Sequence, residues 1–132
     1  MSAVPRFLKF AGPVITEEMA EAVKDTLLSH WITSGPRVAE FEAALSAYHG
    51  GRPARTFTSA TAAMEVAFHI IGVQPGDEVI TSAMTFFSVG NMIERAGATA
   101  VFVDCDLVTR NLLLDQVDAA ISPRTRAIVP TH

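Results

Sequence analysis

Residues 57–68, FTSATAAMEVAF, pass from an apolar stretch through Ser59, Ala60, Thr61, Ala62 and Ala63 into a strongly helix-forming run. Small side chains let an anion come close to the backbone. The first turn of a helix adds unpaired N–H groups and the positive end of its dipole, and two hydroxyls supply further donors. Phosphate binding is the chemistry that suits such a turn; the plainer reading is that Ser59 or Thr61 only caps the helix. A second turn, SAMTFFSVGNMI, carries Phe86 and Phe87 in tandem. One of two adjacent rings on an entering helix should face the core, leaving the other to cover a flat ligand ring; alternatively both are core.

The titratable residues add less. Asp77 and Glu78 follow Pro75-Gly76 and read as turn and strand-start residues. Asp104 and Asp106 end an apolar run, and a carboxylate pair can bind metal or shuttle protons. His30, His49 and His69 have no metal-ligand spacing, and Cys105 has no partner nearby in sequence to lower its pKa. No metal site is expected.

The elements that must position these residues change rhythm along the chain. ITEEMAEAVKDTLLSH predicts an amphipathic helix capped by Thr16, with Glu17 and Glu18 in its first turn and Met19, Val23 and Leu27 on one stripe. WITSGP breaks the pattern. RVAEFEAALSAYHGG resumes it, with Val38, Phe41, Leu45 and Tyr48 on one face and Gly50-Gly51 as the stop. Residues 1–53 thus read as an N-terminal helical segment. From residue 54 to 132, strand and helix alternate: ARTFTS as a strand, TAAMEVAFHIIG as a helix ended by Gly72, VQPGDEVITS as a turn feeding a strand, FFSVGNMIERAG as a helix, ATAVFVD as a strand, LDQVDAAIS as a helix and TRAIVPTH as a strand. Without hairpin signals, and with near-continuous apolar runs, this predicts an α/β fold with a mostly parallel sheet and helices on both faces. The final strand has no covering helix after it, so the sheet reads as incomplete.

Composition bounds the function. The 132 residues are 49% hydrophobic and 18% charged, with a net charge of −4, and the mean hydropathy is positive. Nucleic acid is not an expected partner of a chain with no basic stretch. One cysteine suits a reducing compartment, the N-terminus lacks the apolar core of a signal peptide, and no apolar stretch reaches the roughly 20 residues of a bilayer span. The expectation is a cytoplasmic, soluble protein with some apolar surface awaiting a partner.

HWITSGPRVAEFEAAL, TSATAAMEVAF, VQPGDEVITSAMTFFSVGNMIERAGATAVFVD and ISPRTRAIVPTH, in this order and spacing, resemble the opening third of the DegT/DnrJ/EryC1/StrS family of nucleotide-sugar aminotransferases. The resemblance runs from about Gly12 to His132. Within the family, the arabinose-sugar members that make UDP-4-amino-4-deoxy-L-arabinose look most similar. It implies the N-terminal part of the large domain of a fold-type I, aspartate aminotransferase-like enzyme that uses pyridoxal 5′-phosphate. It further implies that Ala60, Thr61 and Ala62 hold the cofactor phosphate and that Phe86, Trp in the arabinose-sugar enzymes, stacks on the pyridine ring. Phe87 is then the core residue of the pair. By the same resemblance Trp31, Thr33, Ser34, Gly35 and His132 lie near the substrate pocket, no metal is used, and Asp104 and Asp106 match no catalytic position and are structural or substrate-adjacent. The implied partners are a keto nucleotide-sugar, an amino-acid donor such as glutamate, and a second copy in a homodimer.

Transamination with this cofactor needs a Schiff-base lysine and an acid paired with the pyridine nitrogen. The lysines here are Lys9 and Lys24, which match nothing catalytic, and the family's lysine and acid are expected downstream of His132. No catalytic residue is therefore assigned in this chain, which alone is expected to be inactive and to be the front of a longer enzyme. A dehydratase of the same family, with histidine in place of the lysine, and a non-catalytic module binding a phosphorylated ligand remain open alternatives.

Overall fold

A computed structural model of the protein describes residues 11–131. They fall into two units, one up to Arg55 and one from Thr56 onward.

The first unit holds α1 (Glu17–Leu28) and α2 (Pro36–Tyr48). Thr16 caps α1 as its sequence predicts, its hydroxyl accepting from the Met19 N–H at 3.3 Å. Pro36 opens α2 where its missing N–H costs nothing. The chain leaves α2 through Gly50, at φ 70°, with the Gly50 and Gly51 N–H groups closing back on Ala47 and Ser46. Neither helix buries a residue, and the stripe of Met19, Val23 and Leu27 is exposed.

The second unit contains α3 (Ala60–Ile70), β1 (Glu78–Ser82), α4 (Ser88–Arg95), β2 (Thr99–Val103), α5 (Leu114–Ala120) and β3 (Thr125–Val129). The strands form a parallel sheet in the order β2-β1-β3, with β1 in the centre and buried along its whole length. Alternation along β1 splits the core in two. Val79 packs with Phe68 of α3 and with Val89 and Ile93 of α4, whereas Ile80 packs on the other face with Val103 and with Val117 of α5. Helices thus cover both faces, as the strand–helix alternation predicts.

One expected strand does not form. Residues 54–58 belong to no strand, because extended residues become a strand only when a neighbour supplies the other half of the ladder. The described sheet offers them none.

The helix after β1 also starts later than expected. Phe86 and Phe87 lie in the turn before α4, not on it, so no helical face carries either ring inward. They are 66% and 69% exposed and touch each other with centroids 4.4 Å apart. The expectation that Phe87 is core is therefore corrected: it lines a groove with Gly90, Asn91 and Phe102 between α4 and the outer edge of β2.

Candidate cofactor site

The direction of α3 follows from its far end. Arg126, near the start of β3, donates from Nε to the Ile71 carbonyl at 2.8 Å, so the helix ends beside the amino edge of the sheet. Gly72, at φ 72°, and Val73 close that end on His69 and Phe68 before the chain turns into β1. Eleven helical residues rise about 16 Å, and a five-residue strand spans about the same. The mouth of α3 is therefore level with the carboxyl ends of the strands, where the turn bearing Phe86 also emerges. The exits of β1 and β2 lead to α4 and α5 on opposite faces, and such a divergence at the carboxyl edge is where open α/β sheets take their ligands.

At the mouth, Ser59 is the cap: its Oγ accepts from the Ala62 N–H at 3.1 Å, and its carbonyl accepts from the Ala63 N–H at 3.1 Å. That leaves the N–H groups of Ala60 and Thr61 without a partner among the described residues, and the Thr61 hydroxyl makes no bond there either. The two hydroxyls have divided the work that the sequence left undivided. Ala60 is exposed, and Thr61 and Ala62 are half-buried. With only methyl-sized neighbours in the first turn, a phosphate can reach two free N–H groups and one free hydroxyl at the positive end of the helix dipole.

The Phe86 turn is held from both sides. Ser82, fully buried, accepts at Oγ from the Met84 N–H at 3.1 Å, and the Thr85 hydroxyl is 2.9 Å from that of Thr131 after β3. Sequence reading missed these hydroxyls, because a serine and two threonines 46 residues apart carry no local signal. The exposed Phe86 ring is available to a flat ligand.

In the other unit, Trp31, Thr33 and Gly35 line one groove, and Ser34 joins them through its carbonyl, which accepts from the Trp31 indole N–H at 3.1 Å. His132 lies outside the described residues.

The acids have structural employment. Asp77 accepts from the Gln74 N–H at 3.0 Å, closing the turn before β1. Asp104 accepts from the Cys105 N–H at 2.9 Å. The N–H of Thr109, then its side chain and the Val108 N–H, hold the Asp106 carboxyl below its ordinary range. At the amino edge, Glu78 accepts from the Ser122 hydroxyl and from the Arg124 guanidinium, in that order of effect on its lowered pKa. Among the described residues the one lysine is Lys24, whose ammonium is bonded to Glu21 at 2.9 Å.

Residues 13–132 match the DegT/DnrJ/EryC1/StrS aminotransferase family. The spore coat polysaccharide biosynthesis protein SpsC of Bacillus subtilis (strain 168) is 44% identical over 126 residues, 96% of this chain and 32% of SpsC. The sugar aminotransferase Spr1654 from Streptococcus pneumoniae, in its PMP-form, superposes with a TM-score of 0.86 at 41% identity, covering 93% of this chain and 31% of its own; it is also solved in a PLP-form. A 3-amino-5-hydroxybenzoic acid (AHBA) synthase does so with a TM-score of 0.82 at 38% identity, covering 92% of this chain and 32% of its own. The chain thus spans about a third of the length of these relatives. The fold implied by the resemblance, the N-terminal part of a fold-type I large domain, is the one it shares with them. By its match over residues 13–132 and its superposition on these structures, the chain belongs to the DegT/DnrJ/EryC1/StrS aminotransferase family.

Proposed function

We propose that this chain supplies the phosphate- and ring-binding part of a pyridoxal-phosphate-dependent sugar aminotransferase, which moves an amino group from an amino acid, glutamate by preference, to a keto group of a nucleotide-linked sugar. The observation that carries this reading is the pairing of two free N–H groups and a free hydroxyl at the mouth of α3 with an exposed aromatic turn at the same edge of the sheet. The donors suit the cofactor phosphate and the ring suits its pyridine face. When bound, the cofactor supplies an electron-accepting ring for amino transfer.

The roles of this chain's residues follow. Ala60 and Thr61 anchor the phosphate through their N–H groups and the Thr61 hydroxyl, and Ala62 leaves room for it. Phe86 would cover one face of the ring, exclude water there and fix the ring plane. Trp31, Thr33, Ser34, Gly35 and His132 border the substrate. The amine that moves the proton and the acid that pairs with the pyridine nitrogen come from outside the described residues, and Lys24 is not that amine. A homodimer is part of the proposal, supported by exposed apolar residues such as Phe87 and Phe102 beside α4.

Dialysis of pyridoxal phosphate against the chain, and against its Thr61→Val and Phe86→Ala variants, tests the site. Each substitution should weaken binding about tenfold while leaving the fold intact, since an aromatic contact or a hydrogen bond to a charged group contributes on the order of 1–2 kcal/mol. Pyridoxal without its phosphate should bind weakly to all three. Unchanged affinity in Phe86→Ala would remove the stacking role. Formation of 2-oxoglutarate from glutamate only when a keto nucleotide-sugar is present, in the protein carrying this segment, tests the reaction.

A further inference from the structure

The Phe86 turn is tied to the exit of β3, which carries none of the groups proposed to hold the cofactor. β1 and β3 are neighbours in register up to Thr81 and Val129. There the fully buried Thr81 donates its hydroxyl to the Val129 carbonyl at 2.9 Å. Two residues beyond Val129, and four beyond Thr81, the hydroxyls of Thr131 and Thr85 meet at 2.9 Å. These are two successive side-chain rungs between the same two chain segments, one inside the sheet and one past its carboxyl end. The second rung ends one residue before Phe86. On the other side of the turn, the Phe86 carbonyl accepts from the Val89 N–H at 3.1 Å, so the position of Phe86 is transmitted to the start of α4.

From this geometry we infer that Thr131 is a positioning residue: its hydroxyl, acting through Thr85, holds the turn that carries Phe86 and sets where that ring lies. It does not touch the cofactor. The consequence is a mechanical link between the exit of β3 and the ring-bearing turn, so that displacement of Pro130 and Thr131 displaces Phe86. The link itself rests on the hydrogen bonds alone, while its effect on pyridoxal phosphate rests on the function proposed above.

Amide hydrogen exchange on the chain, with and without pyridoxal phosphate, separates the two. In Thr131→Val, which keeps the shape and removes the hydroxyl, the Val89 amide should exchange about five- to tenfold faster, as expected for loss of one modest hydrogen bond. Thr131→Ser should restore the protection. Thr85→Val should reproduce the effect, and the double variant should exchange no faster than either single one, because both remove the same contact. The Ile80 amide in the central strand should not change. Unchanged Val89 exchange in both single variants, or equal acceleration at Ile80, overturns the inference. Where the turn loosens and the circular dichroism induced in bound pyridoxal phosphate weakens in parallel, both readings stand. Where the turn loosens and binding and dichroism match the original chain, the positioning role stands and the role of Phe86 against the cofactor falls.

Discussion

Gly35 shows how one missing side chain shapes a candidate substrate loop. A Cβ placed there would lie 2.4 Å from Trp31 Nε1 and 2.7 Å from Cε2, so the indole can rest against the backbone only because residue 35 has no side chain. Ser29 fixes the other end, accepting at its hydroxyl from the Trp31 N–H at 3.2 Å. Gly35→Ala should expel the ring and break its bond to the Ser34 carbonyl. As Trp31 is the one tryptophan of the sequence, its emission should shift to the red and its quenching by acrylamide should rise; an unaltered spectrum would mean that the ring does not depend on Gly35. The effect should be confined to this loop, because Trp31 is exposed and contributes nothing to a buried core.

At the scale of elements, β1 and the approach to β3 are joined by Glu78, Ser122 and Arg124. Glu78 is nearly buried and accepts from both partners, which lowers its pKa in the folded state below its ordinary 4.5. A carboxyl whose pKa is lowered by folding contributes stability that is fully present above its unfolded pKa and is lost as pH falls through its folded pKa. Asp106, lowered by the N–H of Thr109, adds to the same acid limb. Stability of the sheet unit should therefore be flat above about pH 5 and should decline below the ordinary carboxylate pKa. Glu78→Gln should lower the plateau and reduce the slope of the acid limb, which denaturant titrations across pH 2.5–7 would read. An acid limb of unchanged slope would show that Glu78 gains nothing from its two partners. Arg126 works at the same edge but on α3, its cation at a helix C-terminus where the dipole favours it.

Across the whole molecule, burial is concentrated in the sheet unit. All of the buried hydrophobic residues among those described, from Phe68 to Val117, lie in the unit that begins at Thr56, and α1 and α2 bury none. Helix propensity alone holds short helices poorly in water, so α1 and α2 need a covering surface for full stability. Their amides should exchange orders of magnitude faster than those of Val79, Ile80 and Thr81 in the central strand. Equal protection in the two sets would show that the helical stripes are covered in solution. Addition of a partner that covers Met19, Val23 and Leu27 should slow exchange in α1 selectively.

Much of this was legible along the chain, for reasons of range. Helix caps, glycine stops and strand runs are decided within a few residues, so Thr16, the Gly50-Gly51 stop, the closure at Gly72 and the runs of β1, β2 and β3 could be read directly. The family could also be read, since four separate segments carry it. What the tertiary structure decided depends on neighbours remote in sequence. Whether residues 54–58 are a strand depends on a partner strand, and whether Phe87 is core depends on where α4 begins and what lies beside β2. The choice of Ser59 over Thr61 as the cap needed atomic geometry, because either hydroxyl could reach a free N–H. The Thr85–Thr131 and Glu78–Ser122–Arg124 contacts join residues more than forty positions apart, and only the side-by-side packing of β1 and β3 brings them together.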